Sequence, residues 1–282
     1  MPRPAAEPPL SDTSLEWLAG SDAMERKRHG QYLTPRPVAE ALLDRVRLRP
    51  GMRVLDPGVG TGELLAAVVR REPDADLTGW DVDPDALAAA RRLVPGATLV
   101  RRSALEPCDA GRHGAEGSAA GGRYDLVIAN PPYFQVRVTP ELKLRFGEVI
   151  SGRANAFALF FKAGLDLLEP GGTLAFIVPP SMNSGAYFEA LREHIVSRAI
   201  ITDLTVLEGS ALFEGANTAA QLLVLEKDGG PSDDFVFERA EPEAGFRRVV
   251  FTESPGRLRT GFEGRTTLWQ LGFEAVTGTV VW

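Results

Sequence analysis

Ile128-Ala129-Asn130-Pro131-Pro132-Tyr133 closes the run Tyr124-Asp125-Leu126-Val127-Ile128-Ala129, in which five of six residues are apolar. A run of that kind bounded by prolines, which cannot donate to a sheet ladder, reads as a buried strand that stops at Asn130. In open α/β sheets ligands bind beyond the carboxyl ends of the strands, so Asn130 stands where chemistry is expected. The prolines fix the backbone and present an amide, a rigid carbonyl and an aromatic face together. The Asn130 side-chain oxygen and the Pro131 carbonyl offer two acceptors to one exocyclic amine, and the Tyr133 ring offers its heterocycle a stacking surface. Two acceptors draw an amine nitrogen from planar toward tetrahedral geometry and localise its lone pair for alkylation, with no general base. Taken alone, the same residues also describe an ordinary turn, since Asn and Pro are common turn formers.

Upstream, Arg53-Val54-Leu55-Asp56-Pro57-Gly58-Val59-Gly60-Thr61-Gly62 is a short strand running into a glycine-rich turn, followed by a helix from Glu63 to Arg71. Gly58, Gly60 and Gly62 let a ligand approach the backbone closely. Dinucleotide and phosphate loops share that description, but no Lys-Ser/Thr pair follows the last glycine. Asp56 opens the turn, where an anion repels a pyrophosphate and suits an ammonium group. Leu77 to Asp83 reads as the second strand, with Asp81 placed to accept from ribose hydroxyls. Asp83 is best read as the N-cap of a helix from Pro84 to Leu93. Ala97 to Val100 makes a third strand, with Ser103 just beyond it. Earlier still, Gly30-Gln31-Tyr32-Leu33-Thr34-Pro35 precedes helically spaced Val38, Ala41, Leu42 and Val46, with Thr34 as N-cap and Pro35 as the first helical residue. That capping accounts for Thr34 and Pro35 and leaves Gly30-Gln31-Tyr32 unexplained.

Downstream, Glu106 to Arg123 is Gly- and Ala-rich without periodicity, a surface insertion. Phe134 to Gly152 is polar and irregular, and is expected to be a mobile loop at the catalytic edge. A helix carrying Phe157, Phe160, Phe161, Leu165 and Leu168 ends at Pro170-Gly171-Gly172. It is followed by a strand at Thr173 to Val178, a helix at Ser184 to Ser197, and strands at Ile200 to Leu207 and Thr218 to Leu225. The last two flank a loop carrying Phe213. Beyond Asp228 only short strand-like runs remain, at Phe235 to Phe237 and Val249 to Phe251.

The chain has 282 residues, 44% hydrophobic and 24% charged, enough for one large α/β domain with an appendage. Its single cysteine, Cys108, excludes an intramolecular disulfide framework and fits a reducing, cytoplasmic setting. No run is long enough to span a bilayer, and no spacing of His, Cys, Asp or Glu suggests a metal. A net charge of −7 argues against a basic surface laid broadly over nucleic acid, leaving only local patches such as Arg101-Arg102.

Three motifs of different character occur in order: Gly30-Gln31-Tyr32-Leu33-Thr34-Pro35, Asp56-Pro57-Gly58-Val59-Gly60-Thr61-Gly62 and Asn130-Pro131-Pro132-Tyr133. Together they resemble the adenine-N6 DNA methyltransferases of the gamma arrangement found in bacterial restriction-modification systems. The resemblance covers about residues 24 to 226. It implies a Rossmann-like α/β fold, a seven-stranded mostly parallel sheet with an antiparallel last hairpin, and S-adenosylmethionine as cofactor. By that resemblance Thr34, Asp56, Gly58, Gly60 and Gly62 surround the methionine part, Asp81 holds the ribose, and Val82 packs on the cofactor's adenine. Asn130 and Pro131 address the target amine, with Pro132 and Tyr133 completing the turn, and Phe213 stacks on the flipped base opposite Tyr133. Where the family carries an Asp after the third strand this chain has Ser103, a weaker acceptor for the adenine amine.

The implied partner is DNA, with sequence recognition in a separate domain or specificity subunit. The expected layout is a loose tail over residues 1–23, a methyltransferase domain over 24–228, and an extension over 229–282 leading to a recognition domain. Enzymes that methylate glutamine in release factors share the Pro-Pro-Tyr turn, so a protein-glutamine or RNA-adenine methyltransferase is the alternative. A binding protein without turnover is a third reading.

Overall fold

The computed structural model describes residues 9–28, 30–106, 123–152, 154–207, 219–228, 234–241 and 246–253. Helices α1 (Asp12–Gly20), α2 (Ala23–Arg28) and α3 (Arg36–Leu43) lead into strand β1 (Arg53–Asp56). Then α4 (Glu63–Arg71), β2 (Asp76–Asp81), α5 (Pro84–Leu93) and β3 (Thr98–Arg101) alternate, as βαβ units require, and β4 (Tyr124–Ala129) is the next strand. A short antiparallel pair, β5 (Gln135–Val136) and β6 (Ala154–Asn155), brackets α6 (Pro140–Phe146). After it come α7 (Ala156–Leu167), β7 (Leu168–Val178), α8 (Glu189–Arg198), β8 (Ala199–Leu207), β9 (Ala220–Lys227) and the hairpin β10 (Val236–Glu241) with β11 (Phe246–Phe251).

Seven strands form one sheet in the order β3-β2-β1-β4-β7-β9-β8. Strands β3 through β7 in that list are parallel, while β9 runs antiparallel to both of its neighbours. The order reverses between β1 and β4, which makes the crevice outside their carboxyl ends the switch point of the fold. Asp56 and Asn130 lie at the ends of those two strands. Alternation along β4 divides the core: Leu126 and Ile128 pack with α3 and α4 on one face, while Val127 and Ala129 pack with α7 on the other. All four are fully buried. Phe157, Phe161 and Leu165 of α7 are also buried, each contributing about 1.5–3 kcal/mol by leaving water.

Several sequence expectations change here. Residues 12–20 are helical rather than a loose tail, because Ser11 caps α1 by accepting from the Ser14 amide and Leu10 is buried. Strand β2 stops at Asp81, so Val82 and Asp83 lie outside it. Helix α3 begins one residue later than the Thr34-Pro35 pattern implies, with Pro35 at the N-cap position. The expected helix from Ser184 starts at Glu189, after two short 3-10 turns. Phe134 to Gly152 is not an irregular loop, since it holds β5, α6 and a 3-10 turn and buries Phe146 and Val149. Apolar residues spaced too sparsely to show a period still sufficed to anchor that segment. The insertion over 107–122 and the loop carrying Phe213 lie outside the described residues.

Candidate active site

Asn130 emerges from β4 with both ends of its amide hydrogen-bonded. Its Nδ2 donates to the Tyr32 carbonyl at 3.1 Å and to Thr34 Oγ1 at 3.3 Å. Donation to a carbonyl fixes which end of the amide is nitrogen, so Oδ1 faces the other way. The Tyr133 hydroxyl, with one proton to give, lies 3.0 Å from Asn130 Oδ1 and 2.8 Å from the Ile177 carbonyl. A carbonyl oxygen has two lone pairs, so Oδ1 retains capacity for a second donor. The Tyr133 ring meets Phe157 edge-on at 6.2 Å, and Phe157 packs on Phe188 at 4.9 Å. Burial drives the Tyr133 phenol far above its ordinary pKa, so it remains a neutral donor.

The unexplained Gly30-Gln31-Tyr32 finds its reason in this geometry. Gly30 sits at φ +59°, and a Cβ there would stand 2.7 Å from the Tyr133 backbone nitrogen. A side chain at Gly30 would push the turn off the strand end, and Tyr32 supplies the carbonyl that orients Asn130. Thr34, read as a cap, uses its hydroxyl on Asn130 instead.

On the neighbouring strand, Asp56 is 1% exposed, and its carboxylate accepts from the Gly58 amide at 3.0 Å. Burial, together with the nearby Asp81 charge, pushes its pKa up to about 8. Among the described residues no Lys or Arg pairs with it. A buried carboxylate without a cation is costly, so this position suits an incoming ammonium group. Thr34, Asp56, Gly58, Gly60 and Asn130 line one small cavity, so the structure brings these five expected residues together.

Gly62 stands outside that cavity. It lies at φ +95° at the start of α4, where a Cβ would meet Ala90 and Val94 at 3.3–3.4 Å, so it permits close packing against α5. Asp81 joins the two loops: Oδ2 accepts from the Gly60 amide at 2.8 Å and Oδ1 from the Asp83 amide at 2.9 Å. Burial raises its pKa as well. Asp83 is the N-cap of α5, accepting from the Asp85 and Ala86 amides. Val82 is 57% exposed beside them. The Ser103 hydroxyl accepts from the Leu105 amide at 3.1 Å, which closes a local turn, and Ser103 lines neither this cavity nor the one beside Val82. Phe213 is outside the described residues.

Sequence reasoning missed what supports the glycine turn from behind. Glu63 Oε1 accepts from the Ser11 amide at 2.8 Å and its hydroxyl at 2.7 Å, and Ser14 Oγ lies 2.6 Å from Thr61 Oγ1. Thr61, inside the glycine motif, and Glu63, just after it, are polar residues that the structure buries, so another segment must satisfy them. No group of three or more His, Cys, Asp or Glu among the described residues is arranged to hold a metal. No helix among them is long and apolar enough to cross a membrane.

Comparison with known proteins follows the same lines. Residues 12–83 match the N-6 DNA Methylase family model, 54–149 a methyltransferase domain, and 102–213 the Eco57I restriction-modification methylase. The chain is 26% identical over 248 residues to the modification methylase CviBIII of Paramecium bursaria Chlorella virus NC1A, covering 84% of this chain and 61% of that protein. It is 35% identical over 156 residues to the release factor glutamine methyltransferase of Caulobacter vibrioides, covering 51% and 52%. A Listeria monocytogenes structure assigned to the class I S-adenosylmethionine-dependent methyltransferases superposes with a TM-score of 0.61 at 25% identity, over 77% of this chain and 68% of that one. The fold is therefore that of the class I S-adenosylmethionine-dependent methyltransferases, and separate stretches of the chain match the N-6 DNA Methylase and Eco57I restriction-modification methylase models. It spans 61% and 52% of the lengths of these two curated relatives.

Proposed function

We propose that this chain, parts of which match the N-6 DNA Methylase and Eco57I restriction-modification methylase models, transfers the methyl group of S-adenosylmethionine to the N6 amine of an adenine turned out of DNA. The observation that carries the reading is Asn130, whose Nδ2 is spent on Tyr32 and Thr34 so that Oδ1 is held as an acceptor at the switch point. The Pro131 carbonyl, one residue on, is the second acceptor for the same amine. Nitrogen develops positive charge as it is alkylated, and two fixed oxygens stabilise that charge without reorganising.

Bound S-adenosylmethionine supplies an activated methyl group on a sulfonium sulfur. In this chain Asp56 would pair with its ammonium, the backbone at Gly58 and Gly60 would pass close to its methionine part, and Asp81 would accept from its ribose. An adenine in duplex DNA must leave the stack, at a cost of a few kcal/mol, and a stacking surface returns roughly 1–3 kcal/mol per base. The Tyr133 ring, braced edge-on by Phe157, is that surface. Phe213 would provide the second face. DNA sequence recognition we assign to a separate domain or subunit, because the net charge of −7 leaves little general attraction to phosphate.

The glutamine-methylating relatives share the turn, so substrate class is the point to test. The N-6 DNA Methylase match spans residues 12–83 and includes the Gly30 to Pro35 segment, which supports adenine over glutamine. Methyl transfer measured in parallel on adenine-containing duplex DNA, on RNA and on a release factor decides it. Incorporation confined to the release factor or to RNA would overturn the DNA reading.

A further inference from the structure

An open cavity of roughly 650 Å³ lies beside Val82 and Asp83, the residues that follow Asp81, within the range that small-molecule sites occupy. One wall is the turn between β2 and α5 with the start of α5, including Val82 and Asp83, and the other is the α1–α2 hairpin, with Trp17 and Arg26. Gln31 also lines it, so the Gly30 to Thr34 segment borders this cavity and the small one beside Asp56 in turn.

The hairpin is fastened at several points. Beyond the Ser11 and Ser14 contacts with the glycine turn, Glu16 pairs with Arg92 of α5 at 2.8 Å. Arg26 Nη1 donates to the Leu18 carbonyl and to the carbonyl and hydroxyl of Ser21, and its guanidinium lies over the Trp17 ring at 5.9 Å. The Gln31 amide donates to the Arg26 carbonyl. An indole is thereby held at one wall while an exposed valine stands at the other, and two apolar surfaces lining a cavity suit a flat heterocycle. The charges select further. Asp22, Glu25, Asp83 and Asp85 line the cavity, and Nη1 of Arg26 is committed to the hairpin's own carbonyls. Four carboxylates repel a phosphate, so the ring that enters belongs to a nucleoside without one.

We propose that the α1–α2 hairpin is the outer wall of the nucleoside half of the cofactor site, with Trp17 contacting the purine, and that the acidic lining excludes phosphorylated nucleotides. The inference rests on the reading of the Asp56 to Gly62 turn as the cofactor loop. It assigns a binding role to the residues that sequence patterning sets aside as a tail.

The test uses the full chain and calorimetry with S-adenosylhomocysteine, 5′-methylthioadenosine and methionine as separate probes. Trp17→Ala is expected to weaken the two purine-bearing probes by about 10-fold, consistent with the usual worth of one base-stacking contact, and to leave methionine unchanged. Trp17→Phe should restore most of the loss. Hydrogen exchange over residues 12–28 in the unmutated chain should slow when S-adenosylhomocysteine is added, a readout that needs no variant. ATP at the same concentration should not displace it. Unchanged purine affinity in Trp17→Ala, unchanged exchange in the hairpin, or displacement by ATP would each overturn the proposal while leaving the cofactor loop standing. Failure of the unmutated chain to bind S-adenosylhomocysteine would instead remove the cofactor reading beneath it.

Discussion

The turns after β1 and β4 are neighbours at one sheet edge, yet they meet the problem of buried polar groups in opposite ways. At the β4 turn the protein completes its own network: Asn130 and Tyr133 find partners in Tyr32, Thr34 and Ile177. At the β1 turn Asp56 is buried with the Gly58 amide and no cation among the described residues. The first arrangement is preorganised for a reaction. The second is left for a ligand to complete, and the energetic signature of each differs.

The largest expected effect breaks the comparison at its catalytic half. Asn130→Ala should lower kcat by at least about 10²-fold, the usual scale for removing one preorganised group that faces developing charge, while S-adenosylhomocysteine affinity changes little. Calorimetry beside a single-turnover assay separates the two. Parallel loss of binding and turnover would mean that Asn130 serves the cofactor.

The ligand-dependent half has a pH signature. Asp56 has a pKa of about 8 in the folded chain against about 3.9 unfolded, so the folded state holds the proton more tightly. Its contribution to stability is greatest below about pH 4, declines as pH rises toward 8, and is constant above. At about 1.4 kcal/mol per pKa unit the change amounts to a few kcal/mol. Asp56→Asn should remove that decline, so urea midpoints of variant and parent, compared at pH 5 and 8.5 without cofactor, should diverge at the higher pH. Matching midpoints at both would show that Asp56 is paired after all.

Gly30→Ala sharpens the other half. A left-handed conformation costs an alanine roughly 1–2 kcal/mol, and its Cβ would also meet the Tyr133 nitrogen. Lower thermal stability together with a kcat loss, at unchanged cofactor affinity, is the expected pattern. A stability loss with unaltered kcat would show that the Gly30 contact does not position Tyr133.

The smallest effect is expected at Ser103. Its hydroxyl is taken by the Leu105 amide, so Ser103→Ala should leave S-adenosylhomocysteine affinity within about twofold, near the ±0.5 kcal/mol typical of substitutions outside special sites. A tenfold loss would restore Ser103 as a cofactor contact.

The sequence alone determined the features whose signal is local. The β4 strand and its turn, the glycine loop with α4, and α5 with its Asp83 cap stand where the residues indicated, because period, glycine and proline act within a few positions. Only the tertiary structure decided what the leading segment does. Gly30, Tyr32 and Thr34 carry nothing in their spacing that names Asn130 and Tyr133, about a hundred positions away, as their partners. Ser11 and Ser14 equally give no hint of Glu63 and Thr61. These contacts are between lone polar groups with no periodicity, and a hydrogen bond has a direction that composition cannot carry. The sheet's crossing order brings the segments together, and that order follows from how the two core faces pack rather than from any one motif.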